Sequence, residues 1–217
     1  YDPGYFHPAA FGWFACDEMG RVYLYREIVE RGLRPDELAQ RVHQYPDTKK
    51  LIGIYAGHDC WSKGTDGSPS IAEQFVKLPE DIRIRLIRAN NDRVQGAAQV
   101  RAYLAHRGLP ERMKGPRFFV LENCHRTIEC LPRLIHDQKR PEDVLKVDAS
   151  DEDAFAGDDT YDMVRYGLMS RPRATQLPKE NRILTYDERV QNFMKRRKIR
   201  LAKIQKGEWD PQLGRVW

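Results

Sequence analysis

The sequence lacks long apolar runs. Nowhere in its 217 residues does a stretch approach the roughly 18 consecutive apolar side chains of a membrane-spanning helix, so no membrane partner is expected. Cysteine is scarce: Cys16, Cys60, Cys124 and Cys130, with no C-x-x-C pair. A chain this long needs no covalent staples, and reduced thiols in a cytosolic compartment are expected. Cys124, His125 and Cys130 match no zinc-finger spacing and lack a second pair. They read as small buried side chains beside a helix start. There is no G-x-x-x-x-G-K-[ST] loop, which excludes P-loop nucleotide hydrolysis from this chain. Tyr1-Asp2-Pro3-Gly4 shows no basic stretch followed by an apolar run, hence no signal peptide. It also lacks an initiating Met, and the chain reads as a fragment whose upstream part is missing.

What is present describes one substantial domain with an appendage. The hydrophobic fraction of 41% supports a core, and the 32% of charged residues gives a dense ionic surface. The net charge of +5 is uneven. Residues 171–217 carry 13 Lys and Arg against 5 Asp and Glu, whereas the first 170 carry 24 against 27. A basic tail invites a polyanion, while the acidic body needs another use for its charge, and metal binding is one.

Ala10–Cys16 and Arg21–Val29 are β-rich runs separated by Asp17-Glu18-Met19-Gly20, which predicts a hairpin. Pro35-Asp36-Glu37 opens a helix to about His43, with Pro first and acids in the first turn. Leu51–Tyr55 is a short buried strand ending in Ala56-Gly57-His58-Asp59, before a Gly- and Ser-rich loop. Ser70-Ile71-Ala72-Glu73 is a capping box for a helix ending near Leu78. Ile82–Ile87 alternates as a strand, and Asn91 is expected to cap a helix from Asp92 to Arg107 closed by Gly108. Arg117–Leu121 is a further strand, a helix runs through Ile128–His136 with a bend at Pro132, and Gly157-Asp158-Asp159 opens the last core helix. The fold class is therefore α/β, a mixed sheet flanked by helices over residues 1–170. Residues 171–217 form a linker and a basic C-terminal helical tail, its helix spanning Thr185 to Lys206.

Asp2, Asp59 and the trio Asp158, Asp159 and Asp162 each stand where a strand stops or a helix starts. Spacing i, i+3 puts Asp159 and Asp162 on one helix face. With neighbouring strands carrying Asp2 and Asp59, all five can meet at one sheet edge. Phosphodiester hydrolysis builds charge on an already anionic group, and two cations about 3.5–4 Å apart can hold the attacking and leaving oxygens. Hard cations take oxygen ligands, which Asp supplies. The plainer alternative makes each Asp a helix cap or a turn residue. Spacing alone does not separate one metal–carboxylate enzyme from another.

Two motifs narrow the choice. Asp2-Pro3-Gly4-Tyr5-Phe6-His7-Pro8-Ala9-Ala10 resembles the D-x-G-Y-x-x-P-A-A opening of phage large-terminase nuclease domains. Asp158-Asp159-Thr160-Tyr161-Asp162-Met163-Val164-Arg165-Tyr166-Gly167-Leu168 resembles their closing D-D-x-x-D-x-x-R-Y-x-L. Asn91-Asp92-Arg93-Val94, Val100-Arg101 and Cys124–Asp143 resemble the pattern between. The resemblance covers about residues 1–170 and implies a ribonuclease H-like fold whose first strand lies largely upstream. It implies a Mg²⁺- or Mn²⁺-dependent endonuclease using two ions, which cuts concatemeric double-stranded viral DNA during genome packaging. By motif, Asp2 and Asp59 are metal ligands and catalytic, as is Asp159, with Asp158 its rival and Asp162 completing the metal set. Arg165 and Tyr166 are expected to pack the helix.

Lys63 and Lys77 flank the Asp59 loop and can reach phosphate, and His58 can assist proton transfer, although a structural or solvent-facing role is the favoured reading for each. Lys195, Arg196, Arg197, Lys198 and Arg200 are the DNA-binding candidates of the tail. Implied partners are duplex DNA, portal protein, small terminase and the ATPase domain of the same full-length subunit, in the cytoplasm of a virus-infected host. Rival readings are another ribonuclease H-like nuclease, of resolvase or integrase type, and a non-catalytic DNA- or portal-docking module.

Overall fold

A computed structural model describes residues 1–105, 115–147 and 157–172, together with Gln191 and Met194. By internal contacts the chain divides into Tyr1–Thr175 and Gln176–Trp217. In the second unit the two described residues are helical. The first unit is a mixed α/β structure.

Its centre is the expected hairpin, β1 (Ala9–Cys16) and β2 (Val22–Glu30), paired antiparallel from Ala9↔Glu30 to Cys16↔Val22. The turn closes on local chemistry. Asp17 accepts from the backbone N–H of Met19 and Arg21 and from Arg21 Nε at 2.5 Å, and Gly20 takes the left-handed φ of 75°. Alternation along β1 turns Phe11 and Trp13 to one face and Phe14 and Cys16 to the other, and the register shift between Trp13 and Phe14, which leaves Tyr25 of β2 extra, puts Ile28 on the first face and Leu24 and Val22 on the second. Two cores result. One holds Phe11, Trp13, Leu38, Phe75 and Ile84, under α1 (Pro35–His43) and α2 (Ile71–Lys77). The other holds Val22, Leu24, Val100, Tyr103, Tyr161, Met163 and Leu168, under α3 (Arg93–Leu104) and α5 (Asp159–Ser170).

Strand β3 (Ile54–Ala56) pairs parallel with β4 (Leu86–Arg88), and β5 (Phe118–Val120) pairs parallel with Val22–Leu24. The chain start stitches the two sheets together. Asp2 and Ala10 exchange backbone hydrogen bonds of 2.8 and 3.0 Å, while Tyr1 N donates to Tyr55 O and Gly57 N donates to Tyr1 O. Tyr1 and Asp2 thus lie between β1 and β3.

Several boundaries differ from expectation. A 3₁₀ turn at Pro46–Lys50 delays the strand expected at Leu51–Tyr55 to Ile54–Ala56. The strand expected at Ile82–Ile87 is Leu86–Arg88; Ile84 is buried in the core without a strand partner. Asp92, not Asn91, caps α3, accepting from Gln95 N at 2.9 Å, and that helix ends at Leu104. Helix α4 begins earlier than expected, at His125, and ends at Cys130, where Pro132 forces a 3₁₀ turn over Leu131–Arg133. Its N-terminus is capped from another strand: Glu27 accepts from the N–H groups of Arg126 and Thr127. The strand hairpin, α1 and the capping-box helix α2 stand as expected.

Helix α5 is buried from Thr160 through Tyr166. Its approach requires glycine at facing positions. A Cβ on Gly96 of α3 would lie 2.5 Å from Arg165 Cγ and Cδ, and one on Gly57 would lie 2.8 Å from the Tyr166 hydroxyl. Arg165 and Tyr166 pack the helix, as their places in the motif imply.

Candidate active site

The site grows from the chain start and the first turn of α5. Both backbone groups of Asp2 are held by Ala10, so the sheet fixes the position from which its side chain extends. Burial pushes that carboxyl well above its ordinary range, and the charges of Asp162, Asp159 and Asp158 push it further. Asp159 is raised to about 6, first by burial and then by Asp158, with His7 opposing. Asp158 is raised by burial and by Asp162. Asp158 also stands at the N-cap position of α5, where its side chain makes no capping hydrogen bond. Helix capping therefore does not account for its presence.

Asp162 differs from these three. Arg93 Nη1 donates to its Oδ2 at 3.2 Å, and Arg165 Nε donates to its Oδ1 at 3.1 Å. Arg93 also donates to Asp143 at 2.5 Å and lies 3.6 Å from Asp158. One guanidinium thus ties α3 to the segment bearing Asp143 and to the start of α5.

Asp59 lies on a 3₁₀ turn, His58–Trp61, directly after β3. Its side chain is 65% exposed, with His58 Nε2 3.1 Å from Oδ1. The buried Cys60 thiol is pushed up to about 12 by burial, and it feels the charges of both Asp2 and Asp59. The Tyr166 phenol is raised by burial, with Asp2, Asp162 and Asp59 all contributing. The turn that carries Asp59 adjoins the chain start, since Gly57 N donates to Tyr1 O and Cys60 N donates to Gly57 O. Among the described residues, no three His, Cys, Asp or Glu side chains converge closely enough to form a metal cage.

Of the cationic candidates, Lys63 is exposed and lies 3.8 Å from Glu73, while Lys77 is exposed and also acts on Glu73. Lys195, Arg196, Arg197, Lys198 and Arg200 lie outside the described residues. A cleft of about 410 Å³ lined by Glu27, Glu30, Arg41, Tyr45, His125 and Arg126 contains none of the candidate carboxylates. Sequence reasoning did not single out Arg93 and Asp143 as partners. Each falls within a stretch of the intermediate motif pattern, but a pair 50 positions apart has no local signature. His7 was likewise quoted only within the opening motif, and its charge reaches Asp159.

No family model and no curated protein matches the chain. A solved structure does: the nuclease domain of the P22 large terminase superposes with a TM-score of 0.53, covering 77% of each chain at 20% sequence identity. The chain has the fold of a large-terminase nuclease domain. At that identity the likeness is one of fold. The charges of Asp162, Asp159 and Asp158 all act on Asp2, so these carboxyls are neighbours in this fold.

The donor set suits hard divalent cations. Asp2, Asp158 and Asp159 are carboxyls held above their ordinary range by burial and mutual repulsion, a strain that a cation would relieve.

Proposed function

We propose that this chain is the metal-dependent endonuclease domain of a viral large terminase, with a ribonuclease H-like sheet. It would cut concatemeric double-stranded DNA as a genome is packaged. One observation carries this reading. Half-buried carboxyls from the chain start and from α5 act on one another and have raised proton affinity, in a fold shared with a terminase nuclease domain. Asp2, Asp159 and Asp158 would hold Mg²⁺ or Mn²⁺, with Asp59 supplying a ligand from the turn after β3 and Asp162 supporting the set from its arginine pairs. Two bound ions would supply a hydroxide-like nucleophile and neutralise the leaving oxygen. The protein's own part is to fix these carboxylates in place through the Asp2–Ala10 bridge and the buried α5.

Lys63 and the tail cluster Lys195, Arg196, Arg197, Lys198 and Arg200 would contact phosphates of the duplex. The portal, the small terminase and the ATPase domain of the same subunit would be the protein partners, in the host cytoplasm. A resolvase or integrase activity would share the metal chemistry and differ in product, cutting branched or end-joined DNA in preference to linear duplex.

Incubation of supercoiled plasmid with the protein tests this directly. Linearisation is expected with Mn²⁺ or Mg²⁺, none with EDTA, and none for Asp2→Asn or Asp159→Asn. Cleavage that persists in EDTA would overturn the metal reading. Intact metal-dependent cleavage by both variants would overturn the carboxylate assignment. Removing residues after Arg173 should weaken DNA binding and flatten its salt dependence, because each phosphate contact releases counterions. An unchanged salt slope in a folded truncation would assign the tail to protein docking.

A further inference from the structure

Two hydrogen bonds and one ion-pair contact link the buried Tyr166, through Asn91 and His58, to the candidate ligand Asp59. The buried Tyr166 hydroxyl donates to Asn91 Oδ1 at 3.2 Å. Asn91 Nδ2 lies 2.6 Å from His58 Nδ1. His58 Nε2 lies 3.1 Å from Asp59 Oδ1. The topology builds this chain. Parallel pairing of β3 with β4 ends at Ala56↔Arg88, and Ala89 N donates to Ala56 O, so the residues that follow leave the sheet side by side. Asp92 takes the cap of α3, which leaves the Asn91 amide free to reach His58.

The chain also has a direction. A bare nitrogen lone pair 3.1 Å from a carboxylate oxygen would be repelled, so the His58 nitrogen facing Asp59 carries the proton. In the neutral ring the other nitrogen, Nδ1, is then an acceptor, and Asn91 must present its NH₂ group to it. That orientation turns the Asn91 carbonyl toward Tyr166, whose hydroxyl can donate. With the amide reversed, His58 Nε2 would set a lone pair against the Asp59 carboxylate.

We infer that Tyr166, Asn91 and His58 form a positioning relay that holds Asp59, an otherwise exposed side chain on a short 3₁₀ turn, in the orientation in which it ligates metal. The relay rests on the metal-ligand reading of Asp59 given above. It anchors a mobile type of side chain to a buried residue of α5, the helix that carries the other carboxylates. Groups that orient a metal ligand in this way typically change metal affinity by about 10- to 100-fold when removed.

Two measurements test the relay, one on metal-free protein. Long-range ¹H–¹⁵N correlation spectra at pH 8 should show His58, assigned through His58→Gln, as the Nε2–H tautomer. Asn91→Ala should shift the ring towards a mixture of tautomers. A His58 spectrum unchanged in Asn91→Ala would overturn the relay. In plasmid cleavage, His58→Ala and Asn91→Ala should raise the half-saturating Mn²⁺ concentration by about tenfold, with KM for DNA unchanged and kcat recovered at high Mn²⁺. His58→Gln should be milder, since its amide can both donate to Asp59 and accept from Asn91. His58 is exposed, so its variants should fold, and Tyr166→Phe offers a nearly isosteric variant at the buried end. Wild-type Mn²⁺ dependence in His58→Ala, alongside an inactive Asp59→Ala, would overturn the relay alone. Normal cleavage by Asp59→Ala would instead remove Asp59 from the metal site, a failure of the underlying reading.

Discussion

Two groups of acidic side chains at and beside the first turn of α5 have opposite fates. Asp143 is 4% exposed, yet its carboxyl is held below the ordinary range, because Arg93 and the Val144 N–H offset its burial. Asp2 and Asp159 are also withdrawn from water, but burial and like charges raise them. Asp162 belongs with the paired group through Arg93 and Arg165. The difference is one of partners rather than depth. Carboxylates that hold the fold together have guanidinium or N–H donors, whereas Asp2 and Asp159 are left to repel one another, a repulsion that the cation of the proposed function would relieve.

Removing the shared cation should break this comparison most severely. Arg93→Ala leaves Asp143, Asp158 and Asp162 without their common partner and should cost about 3–5 kcal/mol in urea unfolding. Arg93→Lys should recover only part, since an ammonium cannot reproduce the fork. A loss under 1 kcal/mol, about the worth of a surface pair, would show that the network is not a structural unit. Gly96→Ala should come next, at about 1–3 kcal/mol, because the new methyl group meets the Arg165 stem that bears the Asp162 contact. Full stability in that variant would mean that α3 and α5 can separate freely. Glu27→Ala tests a carboxylate satisfied by helix N–H groups, and should cost about 1 kcal/mol by circular dichroism melting.

The dependence on pH has the opposite sign. The folded-state affinity of Asp159 for its proton is raised from 3.8 to about 6. Its protonation therefore favours the folded state below about pH 4, and that contribution is lost as pH rises through about 6. Asp2 and Asp158 act in the same direction. Asp143 is lowered, so its contribution is present above 3.8 and is lost only as pH falls further. Between pH 4 and 6, metal-free protein should lose stability as pH rises, and Asp159→Asn should reduce that slope. Added Mn²⁺ should reduce it too, by binding the deprotonated carboxylates. A slope unchanged in Asp159→Asn would place the raised proton affinity elsewhere.

Local chemistry made much of this molecule legible from its residues. The Asp17–Gly20 turn, Pro35 with its acids, the Ser70–Glu73 box and the Asp158–Leu168 motif each specify their structure within a few positions, because turns and helix starts are satisfied by neighbours in sequence. Strand edges were less legible: Ile84 carries the alternating pattern of a strand but pairs with nothing, since a strand exists only where a partner supplies hydrogen bonds. Asn91 looked like a cap and is not one, because Asp92 competes for the same N–H groups and wins.

What the sequence determined by itself was therefore the hairpin, the starts of α1, α2 and α5, and which carboxylates to suspect. The tertiary structure decided which of them have partners. Asp158, Asp159 and Asp162 sit within one turn and are chemically identical, yet Asp162 is taken by two arginines while Asp159 is raised to about 6. That outcome depends on Arg93, 69 positions from Asp162, and on Gly96, whose missing side chain makes room for Arg165. Electrostatic energy follows distance in space, and distances between remote segments are set only once the chain has packed.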